Sequence, residues 1–140
     1  MWMLLAGGSA VCAALVSIFG KIGLKEVDPT LATIIRGVIM GVLLLVAGFA
    51  LKKFQTLGSG AVDSRAWLFI FLSAAAGAAS WALYFAALRL GPAGGVAVID
   101  KMSVVLIIII AAFAFGEAFT VRSVLGIILT VIGAVLIIFK

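Results

Sequence analysis

Residues 92–115 read PAGGVAVIDKMSVVLIIIIAAFAF, and this stretch decides the fold. It is long enough to cross a membrane as a helix, because a helix rises about 1.5 Å per residue and the hydrocarbon layer is about 30 Å thick. Strands of a membrane barrel would be about 10 residues long and would alternate apolar with polar side chains. The stretch therefore predicts a transmembrane helix.

The whole chain shares this apolar character. Its 140 residues are 66% apolar and 11% charged, and the mean hydropathy is +1.45. Soluble domains are nearer half apolar and a quarter charged, so a water-soluble fold and a disordered chain are both excluded. Histidine is absent and there is one cysteine, which excludes a histidine-based triad, a disulfide within the chain and a cysteine–histidine metal cluster. We expect no enzyme activity, no cofactor and no metal.

Apolar runs on both sides of this stretch predict four more crossings. Asp28 and Pro29 are a typical helix start, with Asp28 at the N-cap. Gly116 suits the C-cap of the fourth predicted helix, and Thr120 suits the N-cap of the fifth. We expect an all-α membrane protein with a single transmembrane domain over residues 1–140. Its five predicted helices cover residues about 2–24, 30–51, 67–90, 92–115 and 120–139.

Basic residues are balanced between the two ends of these helices. An odd number of helices places the termini on opposite sides of the membrane. The N-terminal side carries Lys52, Lys53, Arg65 and Arg122, and the other side carries Lys21, Lys25, Arg89 and Lys140. Because an excess of basic residues on one side sets the orientation, this balance predicts insertion both ways up, and thus an inverted pair of copies. A chance balance with one dominant orientation is the alternative. The net charge of +5 lies mostly beside apolar runs, which favours lipid headgroups over nucleic acid as the neighbours.

Small residues line one face of the fifth predicted helix. Their spacing of three, four and three residues places them on one side, where small side chains let two helices approach closely. We expect this face to form the contact between two copies, and packing within one copy is the alternative. The residues are Ser123, Gly126, Thr130 and Gly133.

Polar and ionisable residues inside the spans are the strongest functional signal. Charged side chains in a membrane are costly, and they face a cavity or a partner. Arg36 and Asp100 lie six and eight residues into their predicted helices, at depths of about 9 Å and 12 Å from the same side. Tyr84 lies about 9 Å from that side on the third predicted helix. The candidates for substrate binding or coupling are Arg36, Asp100, Lys101, Tyr84, Trp81, Ser103 and Lys21.

The pairing of these charges has more than one interpretation. Asp100 needs a nearby cation, and Arg36 is the predicted partner. Asp100 and Lys101 point about 100° apart on a helix, which argues against a simple pair between them. Lys101 would then be left over and would favour an anionic or zwitterionic substrate. The alternatives are a purely structural Asp100–Arg36 pair, a proton exchanged at Asp100, and anchoring roles for Arg36 and Lys21 at the membrane surface.

Motifs along nearly the whole chain carry a family resemblance. One group comprises Ser80–Leu88, Gly91-Pro92-Ala93, Gly116-Glu117, and Gly126 with Gly133. These resemble the repeat of EamA-type proteins of the drug/metabolite transporter superfamily. A second group looks like the short, single-repeat branch found in bacteria and archaea. It comprises Phe19–Leu24, Asp28–Arg36 and Ile99–Leu106.

The resemblance implies a five-helix repeat that transports small solutes. Longer relatives carry two such repeats, inverted, around a central cavity, so one repeat would need a second copy. We therefore expect a secondary transporter, an antiparallel homodimer of ten helices in the cytoplasmic (inner) membrane of a bacterium or archaeon. It would move a small polar metabolite by alternating access, with Gly91, Gly94 and Gly95 as hinges. A small dual-topology ion channel and a non-transporting structural subunit are the alternatives.

Overall fold

The chain forms six α-helical segments that make up five membrane-spanning helices. The computed structural model describes residues 1–55, 63–116 and 120–139, so the predicted features at Glu117 and Lys140 lie outside the described residues. Five helices are long and apolar enough to cross a membrane, and no β-strand occurs in the described ranges. This confirms the predicted all-α membrane architecture. The segments are α1 (Trp2–Gly23), α2 (Pro29–Ala50), α3 (Ser64–Leu90), α4 (Ala93–Asp100), α5 (Ser103–Phe115) and α6 (Val121–Ile138).

The start of α2 is capped as the sequence predicts. The Asp28 carboxylate accepts hydrogen bonds from the backbone N–H groups of Thr30 at 2.9 Å and Leu31 at 3.0 Å. Pro29 is the first residue of the helix, where its missing N–H costs nothing. The cap matters because the first N–H groups of a helix have no partner within the helix.

Replacing Asp28 by Ala is expected to destabilise the protein by about 1 kcal/mol, because α2 loses the acceptor for two N–H groups. Asn keeps an acceptor at this position, so Asp28→Asn is the matched control. Thermal unfolding in detergent micelles, followed by circular dichroism, measures the difference. Equal losses in the two variants would contradict a role for the cap.

The two caps on either side of residues 117–119 also follow the sequence prediction. Gly116 ends α5 with a φ of 66°, in the left-handed region that favours glycine. The Thr120 hydroxyl caps α6 by accepting from the backbone N–H of Ser123 at 3.2 Å. Both caps were predicted from residue type alone, and both are confirmed.

The chain turns back on itself after α2. Lys52 has a φ of 53°, which reverses the chain direction just past Ala50. The Phe54 ring then packs on Phe49, with ring centroids 4.6 Å apart. A Cβ atom at Gly48 would lie 2.7 Å from the Phe54 ring, so Gly48 makes room for the ring. An aromatic pair thus closes the end of α2.

The helices group into two compact units. The terminal unit comprises Met1–Lys21 and Leu90–Lys140, and it holds most of α1 together with α4, α5 and α6. The hairpin unit comprises Ile22–Arg89 and holds α2 and α3. Nearly all apolar side chains of both units are exposed. Such a surface suits lipid or a partner helix rather than water.

Two contacts align α2 and α3 in the hairpin unit. Arg89 donates from Nη1 to the carbonyl oxygen of Val27 at 2.8 Å. Further along both helices, the Arg36 guanidinium lies over the Trp81 ring. From the first pair to the second, residue numbers rise into α2 and fall along α3, as antiparallel helices require. The buried apolar side chains of this unit are Leu24, Phe85 and Leu88.

The fourth predicted helix is interrupted at Lys101 and Met102, between α4 and α5. The N–H of Met102 donates to the carbonyl oxygen of Ile99, and the N–H of Val104 donates to that of Lys101, both at 3.0 Å. These bonds span three residues instead of four, as in a 3₁₀ turn. The sequence predicted one uninterrupted helix over residues 92–115. Apolar composition could not predict the interruption at Lys101 and Met102, because the flanking residues are equally apolar in an α-helix and in a 3₁₀ turn.

Candidate functional site

The hairpin unit brings together three of the predicted site residues. The Arg36 Cζ atom lies 3.1 Å from the centroid of the Trp81 ring and 5.2 Å from that of Phe85. The Phe85 centroid lies 6.0 Å from that of Trp81 and 6.1 Å from that of Tyr84. We call Trp81, Tyr84 and Phe85 the aromatic cluster. The depth comparison from the sequence had placed Arg36 and Tyr84 at the same level, about 9 Å from one side of the membrane.

The spacing along α3 explains the aromatic cluster. Residues three and four apart share one face of a helix, so Trp81, Tyr84 and Phe85 point to the same side. Arg36 reaches this face from the antiparallel helix α2. Phe85 was missing from the predicted site. Its position four residues after Trp81 was the available signal, but an apolar ring in an apolar helix is not distinctive.

The aromatic cluster stabilises the Arg36 charge without neutralising it. A guanidinium over a Trp ring gains about 2 kcal/mol when it is removed from water. Arg36 is half-buried. Within the described residues of the hairpin unit, no carboxylate forms an ion pair with it. Its positive charge is therefore held in place by aromatic rings.

Asp100 pairs with Lys101, which corrects the sequence argument. The Lys101 Nζ atom lies 3.5 Å from Oδ2 of Asp100. Regular helix geometry had argued against this pair and had favoured Arg36 as the partner. The geometry misled because the long, flexible Lys side chain can reach back to its neighbour, and because the backbone departs from a regular helix at Lys101. Asp100 is half-buried and Lys101 is exposed.

Ser103 lies three residues after Asp100, on the other side of the irregular turn. The backbone between them forms bonds three residues apart, and this winding aligns side chains at positions i and i+3. Asp100 and Ser103 therefore lie on one face. Ser103 is the first residue of α5 and is exposed. The Asp100–Ser103 face of the terminal unit thus combines a carboxylate, a hydroxyl and an irregular backbone.

Lys21 contacts the corner before α4, which is the turn at Gly91 and Pro92. Its Nζ atom donates to the carbonyl oxygen of Gly91 at 2.8 Å, within the terminal unit. This contact gives Lys21 a role in joining α1 to the corner. Gly91 precedes α4, whereas Gly94 and Gly95 lie in its first turn. The assignment of these three glycines as hinges stays a prediction.

The small-residue face of α6 is largely satisfied by its own helix. The Thr130 hydroxyl donates to the carbonyl oxygen of Gly126 at 2.7 Å. The hydroxyls of Ser123 and Thr120 lie 3.0 Å apart, near the start of the helix. This face can therefore pack closely against another helix, but the hydroxyls of Thr130 and Ser123 already have hydrogen-bond partners near or within α6. Within the terminal unit α6 contacts α4, and Ala134 is its buried residue. The contact between copies predicted for this face, which includes Gly133, stays a prediction.

Comparisons with known proteins agree on one family. The chain matches the EamA-like transporter family over residues 1–139. A relative from Sinorhizobium sp., described as an uncharacterized transporter in the cobO 3' region, is 36% identical over 136 residues, which are 97% of this chain and 95% of the relative. No solved structure matches the chain significantly. The relative is thus as short as this chain and has room for one five-helix repeat. The chain belongs to the EamA-like transporter family and is a multi-pass membrane transporter.

Proposed function

We propose that this chain is a secondary transporter that moves a small anionic or zwitterionic metabolite by alternating access. The observation that carries the proposal is the placement of Arg36, Asp100 and Lys101 within two membrane spans that are otherwise free of charged residues. Ionisable residues are retained within membrane spans where they serve a pathway or a partner. The family membership supports transport. Arg36 in one span and Asp100 with Lys101 in another supply polar contacts for a solute.

We propose further that two copies work as an antiparallel homodimer. One chain supplies five spanning helices, and secondary transporters are commonly built from two inverted repeats of such a unit. The even division of basic residues between the two sides supports insertion in both orientations. The first four spanning helices of each copy would line the pathway, and the small-residue face of α6 would lie at the contact between copies.

Alternating access then follows from symmetry. The charged groups of one copy lie toward one membrane surface, and those of its twin lie toward the other. Exchange of conformations between the copies opens one side while it closes the other. Gly91, Gly94 and Gly95 are the proposed hinges, because they adjoin the turn between α3 and the broken span. The proposed setting is the cytoplasmic (inner) membrane of a bacterium or archaeon.

Cysteine labelling in intact cells tests the antiparallel arrangement. Cys12→Ala removes the native thiol, and single cysteines are then placed at Thr30, in the first turn of α2, and at Gln55, beyond its other end. Both replaced residues are uncharged, so the balance of basic residues is preserved. We expect an impermeant maleimide to label roughly half of each variant, because an even charge balance favours neither orientation. Labelling of only one of the two positions would overturn the antiparallel homodimer.

Reconstitution tests transport itself. We expect proteoliposomes that contain the purified chain to accumulate anionic or zwitterionic metabolites at the modest rates of a carrier. Single-channel currents in planar bilayers would instead establish the ion channel. Absence of both solute uptake and current, with the dimer intact, would favour the structural subunit.

A further inference from the structure

We propose that Arg36, held on Trp81, binds the oxyanion of the substrate, and that the site therefore selects a monoanion over a zwitterion of equal size. This inference rests on the proposed transport function and narrows its substrate class. Trp81 is the positioning residue. It holds the guanidinium in the membrane without occupying its hydrogen-bonding edge.

The geometry leaves the donors of Arg36 available. The stack on Trp81 uses the face of the guanidinium, whereas its five N–H donors point outward in the plane. No described residue of the hairpin unit accepts a hydrogen bond from them. Among described side chains, no polar atom is both buried and without a partner, so the donor edge of Arg36 is not sealed off. An acceptor supplied by a ligand can reach it.

The charge balance within the spans selects the sign of the ligand. In the terminal unit Asp100 is matched by Lys101 at 3.5 Å. In the hairpin unit Asp28 accepts from backbone N–H groups at the start of α2. The carboxylates of Glu26 and Asp63 form no ion pair with Arg36. Arg36 is therefore the charge well inside a span of this unit that no described carboxylate matches, and a monoanion cancels it.

Two other basic residues near this side of the membrane, Lys21 and Arg89, are engaged by backbone. Lys21 donates to the Gly91 carbonyl, and Arg89 donates to the Val27 carbonyl. The ligand that matches Arg36 is an oxyanion such as a carboxylate, which pairs with the planar guanidinium through two parallel hydrogen bonds. A zwitterion would bring its ammonium group toward the same cation. Lys cannot replace Arg here, because an ammonium group has no planar fork.

Fluorescence of Trp81 provides the test. Trp2→Phe and Trp67→Phe leave Trp81 as the single tryptophan, in contact with Arg36. The purified protein in a maltoside detergent, which contains no phosphate, is titrated with propionate, alanine and propionamide. These three probes share a three-carbon frame and differ in charge. We expect a saturable change with propionate at a concentration at least about tenfold lower than with alanine, and no change with propionamide.

Variants assign the response to Arg36. Arg36→Lys is expected to weaken the propionate response by at least about tenfold. Arg65→Lys, in the first turn of the same helix as Trp81, is the matched control and should leave it unchanged. The selectivity comparison uses the single-tryptophan protein itself, so it stays decisive if Arg36→Lys fails to fold. Equal responses to propionate and alanine, no response to propionate, or a full response in Arg36→Lys would overturn the proposal.

A lipid phosphate is the other source of the same chemistry. Phosphatidylglycerol added to the micelles distinguishes the two sources. A Trp81 response to this lipid and not to propionate would overturn the substrate site and would make Arg36 a lipid anchor. A chain that binds propionate through Arg36 but carries no solute would instead remove the transport function and keep the anion site. A chain that carries zwitterions and anions equally would keep the transport function and overturn the selectivity for monoanions.

Discussion

Replacing Asp100 by Asn, or Lys101 by Ala, is expected to reduce transport to background while the chain still assembles. Each change removes one member of the 3.5 Å ion pair and leaves the other charge unmatched inside a membrane span. The pair also lies at the irregular backbone between α4 and α5, where transporters commonly bind substrates and coupling ions. Uptake of labelled metabolites by proteoliposomes measures the effect.

The control for these two variants is Lys25→Ala. Lys25 is an exposed basic residue in the loop between α1 and α2, outside the spans. Its loss should leave uptake near that of the parent protein. Gel filtration and crosslinking establish whether the assembly is intact. Normal uptake by both the Asp100 and the Lys101 variants would show that the site is elsewhere, whereas loss of the dimer would indicate a structural role for the pair.

Replacing Lys21 by Met is expected to destabilise the protein by about 2 kcal/mol, because hydrogen bonds from charged donors contribute about that much. Lys21 joins α1 to the corner before α4 through the Gly91 carbonyl. Met retains most of the apolar length of the Lys side chain, so the change isolates the polar contact. Thermal unfolding in micelles measures the loss.

Lys25→Met serves as the matched control for Lys21→Met, since both remove one basic residue near the same end of α1. The comparison also separates two interpretations of Lys21. A structural Lys21 predicts a lower melting temperature than in the Lys25 variant. A substrate-binding Lys21 predicts unchanged melting with reduced uptake, and that result would contradict the anchoring role.

The spanning helices and their ends could be predicted because they depend on local chemistry. Apolar length alone identifies a membrane span, and the side chains of Asp28 and Thr120 satisfy nearby N–H groups wherever the rest of the chain lies. The left-handed turn at Gly116 follows from residue type for the same reason. None of these features requires knowledge of distant contacts.

The site was less predictable because its contacts depend on side-chain reach and on backbone irregularity. Depth along each helix placed Arg36 level with Tyr84, but it could not tell a stack on the Trp81 ring from an ion pair. The contact between Asp100 and Lys101 was missed because a regular helix was assumed through Lys101, and the predicted Asp100–Arg36 pair stays a prediction. The role of Phe85 emerged only when α2 and α3 were seen side by side.

The aromatic closure at the end of α2 makes the protein sensitive to the acyl chain length of its lipids. The helix has 22 residues and is about 33 Å long, with Asp28 capping one end and the Phe49–Phe54 pair closing the other. Both ends of the helix are thus defined, and the apolar length between them suits a limited range of hydrocarbon thickness. A thinner bilayer must tilt this helix or draw the headgroups inward. In either case water comes closer to Arg36, and the attraction between its guanidinium and the Trp81 ring weakens.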